Sequence, residues 1–183
     1  MKITRTEIDG LVVAESTAFS DHRGTFSRLF CASDLAPIIG SRHITQINKS
    51  RTAAVGAVRG LHYQRSPYAE TKLVICLKGK IWDLAVDLRA GSATLLHWHA
   101  EELSAGNCRM LIIPEGCAHG FQVLEPDSEI LYLHTAPYDP ASESGVQVSD
   151  PLLNISWPLP IYDLSERDKT HPLLPRGFAG ITL

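Results

Sequence analysis

Two short stretches of this 183-residue chain gather side chains able to move protons or hold a metal. Arg59-Gly60-Leu61-His62-Tyr63-Gln64 sets an arginine and a histidine three apart beside a glycine. In an extended segment, positions three apart point to opposite faces. A bend at the glycine would turn both toward one pocket. Pro114-Glu115-Gly116-Cys117-Ala118-His119-Gly120-Phe121 reads as a tight turn from which a histidine opens the next strand. Imidazole is both a metal ligand and an acid–base group near neutral pH, so both chemistries are open here. A lone histidine is more often a satisfied, partly buried side chain, and its neighbours must decide. His97-Trp98-His99 falls between the expected strands, where a solvated or interface role is expected. On composition alone, Asp163–Asp168 reads as a surface turn with a helix start, and Phe19–Phe26 as a charged turn entering a strand.

The elements that position these groups are short strands. Candidates are Ile44–Asn48, Lys72–Leu77, Lys80–Asp87, Arg109–Ile113, Gly120–Leu124 and Glu129–Ala136, separated by breaks containing Gly, Pro, Asn or Ser. The best helix candidate opens at Ser33-Asp34-Leu35-Ala36 and is interrupted by Pro37. Many short strands with turn signals imply a β-sandwich or barrel. The last ~30 residues carry several prolines and are expected to wrap it. Residues two apart on a strand share a face. Lys72, Val74 and Cys76 therefore go together, as do Ile130, Tyr132 and His134, and His119, Phe121 and Val123. Polar members of these sets can converge in a barrel mouth.

Composition narrows the classes. Hydrophobic residues make up 44% and charged residues 20%, ordinary for a globular chain, with a net charge of −3. No basic excess argues for nucleic acid or a membrane surface. No apolar run approaches the ~20 residues of a spanning helix, and the N-terminus lacks the apolar core of a secretory signal. The four cysteines form no CxxC pair, so free thiols in a reducing cytoplasm are expected.

Pro-x-Gly-x-x-His at Pro114, Gly116 and His119 resembles the second motif of cupin barrels. Metal-binding cupins carry a first motif with His-x-His followed by Glu. Here the matching place reads His62-Tyr63-Gln64, so one imidazole is missing, and glutamine is a poor substitute. The expectation is a cupin without a metal. Further matching stretches include Asp21–Phe26, Gln46–Ser50, Gly56–Gln64, Lys72–Val74, Asp83–Arg89, Ile113–Phe121, Tyr132, Tyr138 and Asp150 through Pro158. In this order, from Phe19 to about Pro172, they resemble the dTDP-4-dehydrorhamnose 3,5-epimerase family of sugar-nucleotide epimerases.

That resemblance implies a single domain over residues 1–183: an all-β, cupin-type jelly-roll barrel with short helices and wrapping terminal segments. It implies proton removal beside a ketone with no cofactor, in a cytoplasmic homodimer acting on a nucleoside-diphosphate sugar. His62 matches the base and Asp168 its acidic partner. Lys72 matches the group near the 4-keto oxygen and Tyr132 the acid. Arg23, Gln46, Asn48, Arg59, His119 and Glu143 match positions around the nucleotide and its phosphates, and Tyr138 one that closes on the ligand. Arg23 would act in the partner's site. Arg28, placed beside the nucleotide, departs from the family, where a glutamate is usual. Alternatives are a single-carbon epimerase, a sugar-nucleotide-binding cupin without turnover, and a metal-dependent cupin oxygenase. The oxygenase is disfavoured by the incomplete ligand motif.

Overall fold

Alternation along the strands sorts the apolar side chains into three layers around two facing antiparallel sheets. The structure, a computed structural model, describes all 183 residues. The larger sheet runs in the order β1 (Lys2–Arg5), β2 (Val12–Glu15), β10 (Arg109–Ile113), β7 (Lys72–Lys78), β12 (Ser128–His134) and β5 (Gln46–Thr52). The smaller runs β13 (Glu143–Gly145), β6 (Val58–Gln64), β11 (Cys117–Val123), β8 (Lys80–Asp87) and β9 (Trp98–Ser104). A separate hairpin pairs β3 (Ala18–Asp21) with β4 (Gly24–Ser27). This is the cupin jelly roll.

Between the sheets lie Val74, Cys76, Ile130, Phe121 and Val123, the inward members of the parity sets. The alternate residues Leu73, Ile75 and Leu133 face outward from the larger sheet, under Leu35 and Ile39 of α1 (Ala32–Ile39). The outer face of the smaller sheet, including Leu61, Leu84 and Val86, is covered by the C-terminal wrap through Val146, Leu153, Trp157 and Phe178. That wrap also carries the short helix α2 (Glu166–Lys169).

Strands 80–87 and 109–113 have the expected bounds. Strand β5 begins two residues later and runs to Thr52, and β11 begins at Cys117. Helix α1 runs through Pro37 to Ile39 rather than stopping before it. Proline there removes one helical hydrogen bond, offset by burial of Leu35 and Ile39. The His97–His99 stretch is likewise not wholly between strands. Trp98 and His99 open β9, and His99 Nε2 lies 3.2 Å from Glu101 Oε1. No helix is long and apolar enough to cross a membrane.

Candidate active site

Arg59 and His62 are turned onto one face by an irregularity in β6. Opposite β11, His119 pairs with His62 and Phe121 with Arg59, so three steps on one strand face two on the other. The extra residue is a β-bulge at Gly60–Leu61. It puts Val58 and Leu61 together on the outer face, and Arg59 and His62 together on the inner one. Gly60 has φ +136°, and a Cβ there would lie 2.6 Å from the Gly120 Cα. Glycine is required at this close approach.

Arg59 and His62 open onto a cavity of about 560 Å³. The smaller sheet contributes these two with His119, and the larger sheet contributes Asn48, Ser50, Lys72, Tyr132 and His134. Ser165, Arg167 and Asp168 come from the C-terminal wrap.

Three imidazoles around the cavity are each backed by a carboxylate. His62 Nε2 is 2.8 Å from Asp168 Oδ1, and the other Asp168 oxygen accepts the Gly60 N–H at 3.2 Å. Burial alone would raise the Asp168 carboxyl, but His62, Gly60 and Ser165 together hold it below the ordinary aspartate range. His119 Nε2 is 2.8 Å from Asp83 Oδ1 in the interior. Burial pushes the Asp83 carboxyl up and the His119 imidazole down, each toward its neutral form. His134 Nδ1 is 2.7 Å from Glu70 Oε2, and the Lys72 ammonium reaches Glu70 Oε1 at 3.5 Å. Burial works against the Glu70 carboxylate, but His134 and Lys72 keep it ionised to lower pH than usual. The Tyr132 phenol is within 2.8 Å of the Ser50 hydroxyl, and burial pushes it well above its ordinary value. It keeps its proton at neutral pH.

The residues at a metal cupin's ligand positions are engaged with other partners. The Gln64 amide is committed to the carbonyls of Tyr68 and Pro137 and to the Asp139 N–H. His119 is held by Asp83. The three donors that do come together are His62, Asp168 and His171, within 4.8 Å of one another. Cys117, inside the turn motif, is buried, and burial pushes its thiol up to about 12. All four cysteines are free.

The sequence profile of the family described as dTDP-4-dehydrorhamnose 3,5-epimerase matches residues 5–176. The chain belongs to the dTDP-4-dehydrorhamnose 3,5-epimerase family. It is 39% identical over 180 residues to the Salmonella typhimurium protein of that name, covering 97% of each chain. The Legionella pneumophila enzyme, solved in complex with dTDP-4-keto-L-rhamnose, superposes with a TM-score of 0.89 at 40% identity. That match covers 94% of this chain and 92% of the other. ChmJ, a 3'-monoepimerase from Streptomyces bikiniensis solved with dTDP-quinovose, gives a TM-score of 0.85 at 32% identity, covering 92% and 85%.

Of the positions that the likeness to dTDP-4-dehydrorhamnose 3,5-epimerases singled out, His62, Lys72, Tyr132, Asp168, Asn48, Arg59 and His119 line the cavity. Gln46, Tyr138 and Glu143 form a chain at its edge. The Gln46 side chain accepts the Tyr138 N–H at 2.9 Å, and the Tyr138 hydroxyl donates to Glu143 at 2.8 Å. Glu143 in turn anchors Arg167 at 2.9 Å. Arg23 and Arg28 lie outside this cavity within the chain. Arg23 sits on the β3–β4 hairpin paired with Asp21, and Arg28 lies 3.9 Å from Asp34. Sequence reasoning missed Ser50, Glu70 and Arg167, which no motif marks. The shared face of Tyr132 and His134 did point His134 to the barrel mouth, where it lines the cavity.

Proposed function

We propose that this chain inverts C3, C5 or both of a dTDP-linked 4-keto-6-deoxyhexose, as a dTDP-4-dehydrorhamnose 3,5-epimerase. The observation that carries this reading is the supply of base and acid from opposite walls of one cavity. His62 stands on the smaller sheet and Tyr132 on the larger. With its Nε2–H donating to ionised Asp168, His62 keeps a lone pair on Nδ1 to take the proton beside the ketone. Charge then develops on the 4-keto oxygen, where the Lys72 ammonium stabilises it. Glu70 steers that ammonium from behind. Tyr132 returns a proton from the other face, which inverts the carbon. Arg59 suits the diphosphate through its fixed fork of donors. Asn48, Gln46, His119, Tyr138 and Glu143 complete the ligand contacts, with Tyr138 closing at the rim.

On this reading the whole of 1–183 works as one domain in a cytoplasmic homodimer. The β3–β4 hairpin delivers Arg23, with Arg28 nearby, to the partner's site. Phe19 and Phe26, a cross-strand pair on that hairpin, are exposed at 68% and 72%, the kind of surface a second subunit covers. A second reading, inversion of one carbon only, is favoured by the likeness to the ChmJ monoepimerase.

Proton NMR in D2O with dTDP-4-keto-6-deoxyglucose tests the assignment. Deuterium is expected at C3, C5 or both, and at one carbon only under the second reading. His62→Ala is expected to suppress exchange by about 10²–10⁴-fold. Tyr132→Phe is expected to keep exchange on the His62 face while inversion falls by a similar factor. Intact protein that labels neither carbon would refute the proposal.

A further inference from the structure

His171 is an unused imidazole directly behind the base. Its ring meets that of His62 edge to face, with centroids 5.3 Å apart. Its Nε2 is fully buried and has no hydrogen-bond partner. Buried polar atoms are rarely left so. The ring's place is built into the fold. Gly145, the residue of β13 paired with His62, has no side chain there, and an added Cβ would fall 2.4 Å from the His171 ring. The orphan nitrogen lies 3.7 Å from Asp168 Oδ1, the oxygen that already holds His62 Nε2 at 2.8 Å.

Two imidazoles and a carboxylate are a zinc donor set, with bonds of about 2.0–2.2 Å and donors about 3.3–3.5 Å apart in a tetrahedron. Two of the three separations here, 2.8 and 3.7 Å, fall on either side of that span, and the third lies within 4.8 Å. We infer that His62, Asp168 and His171 form an inhibitory site for a divalent transition ion of the zinc type. The ion takes His62 Nε2, Asp168 Oδ1 and His171 Nε2, and water fills the fourth position. Binding at Nε2 moves the His62 proton to Nδ1, the nitrogen that otherwise carries the abstracting lone pair. No net proton is released from the neutral ring, and the base is occupied. The Arg167 guanidinium, 3.3 Å from His62 Nε2, opposes the ion. It is exposed and already tethered to Glu143 at 2.9 Å, so it can give way on that side. The inhibitory consequence rests on His62 acting as the base; the binding itself does not.

Binding is read without substrate. Chelator-washed full-length chain is titrated with Zn²⁺ against a chromophoric chelator, and with Co²⁺ followed by its visible absorption. One ion per chain is expected, with the intense visible bands of tetrahedral cobalt. His171→Ala and the bulkier His171→Gln are expected to weaken zinc at least tenfold. Both keep basal epimerisation while becoming insensitive to zinc, and a chelator restores the unmodified chain. No stoichiometric binding, octahedral cobalt alone, or equal zinc affinity in the His171 variants would overturn the inference. Should the variants fail to fold, the cobalt spectrum of the unmodified chain decides it. A chain that binds zinc through His171 yet exchanges no sugar proton would instead count against the epimerase reading.

Discussion

A single residue, Asp168, ties β6 to the C-terminal wrap. It accepts from the His62 ring and from the Gly60 backbone, while its own N–H is capped by the Ser165 hydroxyl at the start of α2. Its carboxyl is held below the ordinary range despite burial, so the unfolded chain binds the proton more readily. Its contribution to stability is therefore full above about pH 4, the unfolded value, and is lost as pH falls through the lower folded value. Asp168→Asn is expected to cost on the order of 1–3 kcal/mol at pH 7. That gap should narrow as pH falls below about 4, as read from urea midpoints of the two proteins. Asp83 has the opposite sign. Burial raises its carboxyl, so it contributes less as pH climbs through its raised value. The sequence placed His62, Lys72 and Tyr132 by parity and motif, because strand alternation is local. It could not place Glu70 behind Lys72 and His134, since that contact depends on which strands become neighbours.

At the scale of the strand, the site depends on one inserted residue. Without the bulge in β6, Arg59 and His62 would stand on opposite faces, and either the guanidinium or the imidazole would leave the cavity. Gly60 permits the bulge through its positive φ and its packing on Gly120. A side chain here meets backbone, not the yielding end of a flexible residue. Gly60→Ala is expected to cost about 2–4 kcal/mol from strained backbone and overpacking. It should depress epimerisation more than the lost folded fraction explains, because His62 shifts against Asp168. Denaturant unfolding and turnover measured on the same preparation separate the two effects, and unchanged stability would refute the argument. The glycine and the three-residue spacing were visible in the sequence, but the direction of the bend was not. It is set by the facing strand, whose register is a long-range choice. The expected bounds of Lys80–Asp87 and Arg109–Ile113 were met because turn residues flank both strands. β1 to β4 precede Ile44–Asn48, the first strand candidate, and two of them make only an isolated hairpin.

For the whole molecule, the position of that hairpin decides whether one chain holds a complete site. Arg23 lies outside the cavity of its own chain, on a two-stranded sheet that pairs with no other strand. If a two-fold pair exchanges hairpins, each site combines one chain's His62 with the other's Arg23, and defects can be sorted between subunits. Arg23→Ala and His62→Ala homodimers are each expected to be nearly inactive. After mixing, unfolding and refolding together, half of the dimers are mixed. Each mixed dimer has one site with both residues intact and one with neither. Activity should then recover to about one quarter of the unmodified level. Acting within one chain, the same two substitutions would give no recovery, because every site would still lack a residue. Phe19→Ser with Phe26→Ser provides the physical control. Removing the exposed aromatic pair should shift the chain toward monomer by light scattering and lower activity in parallel. A monomer with full activity would show that the site needs no partner.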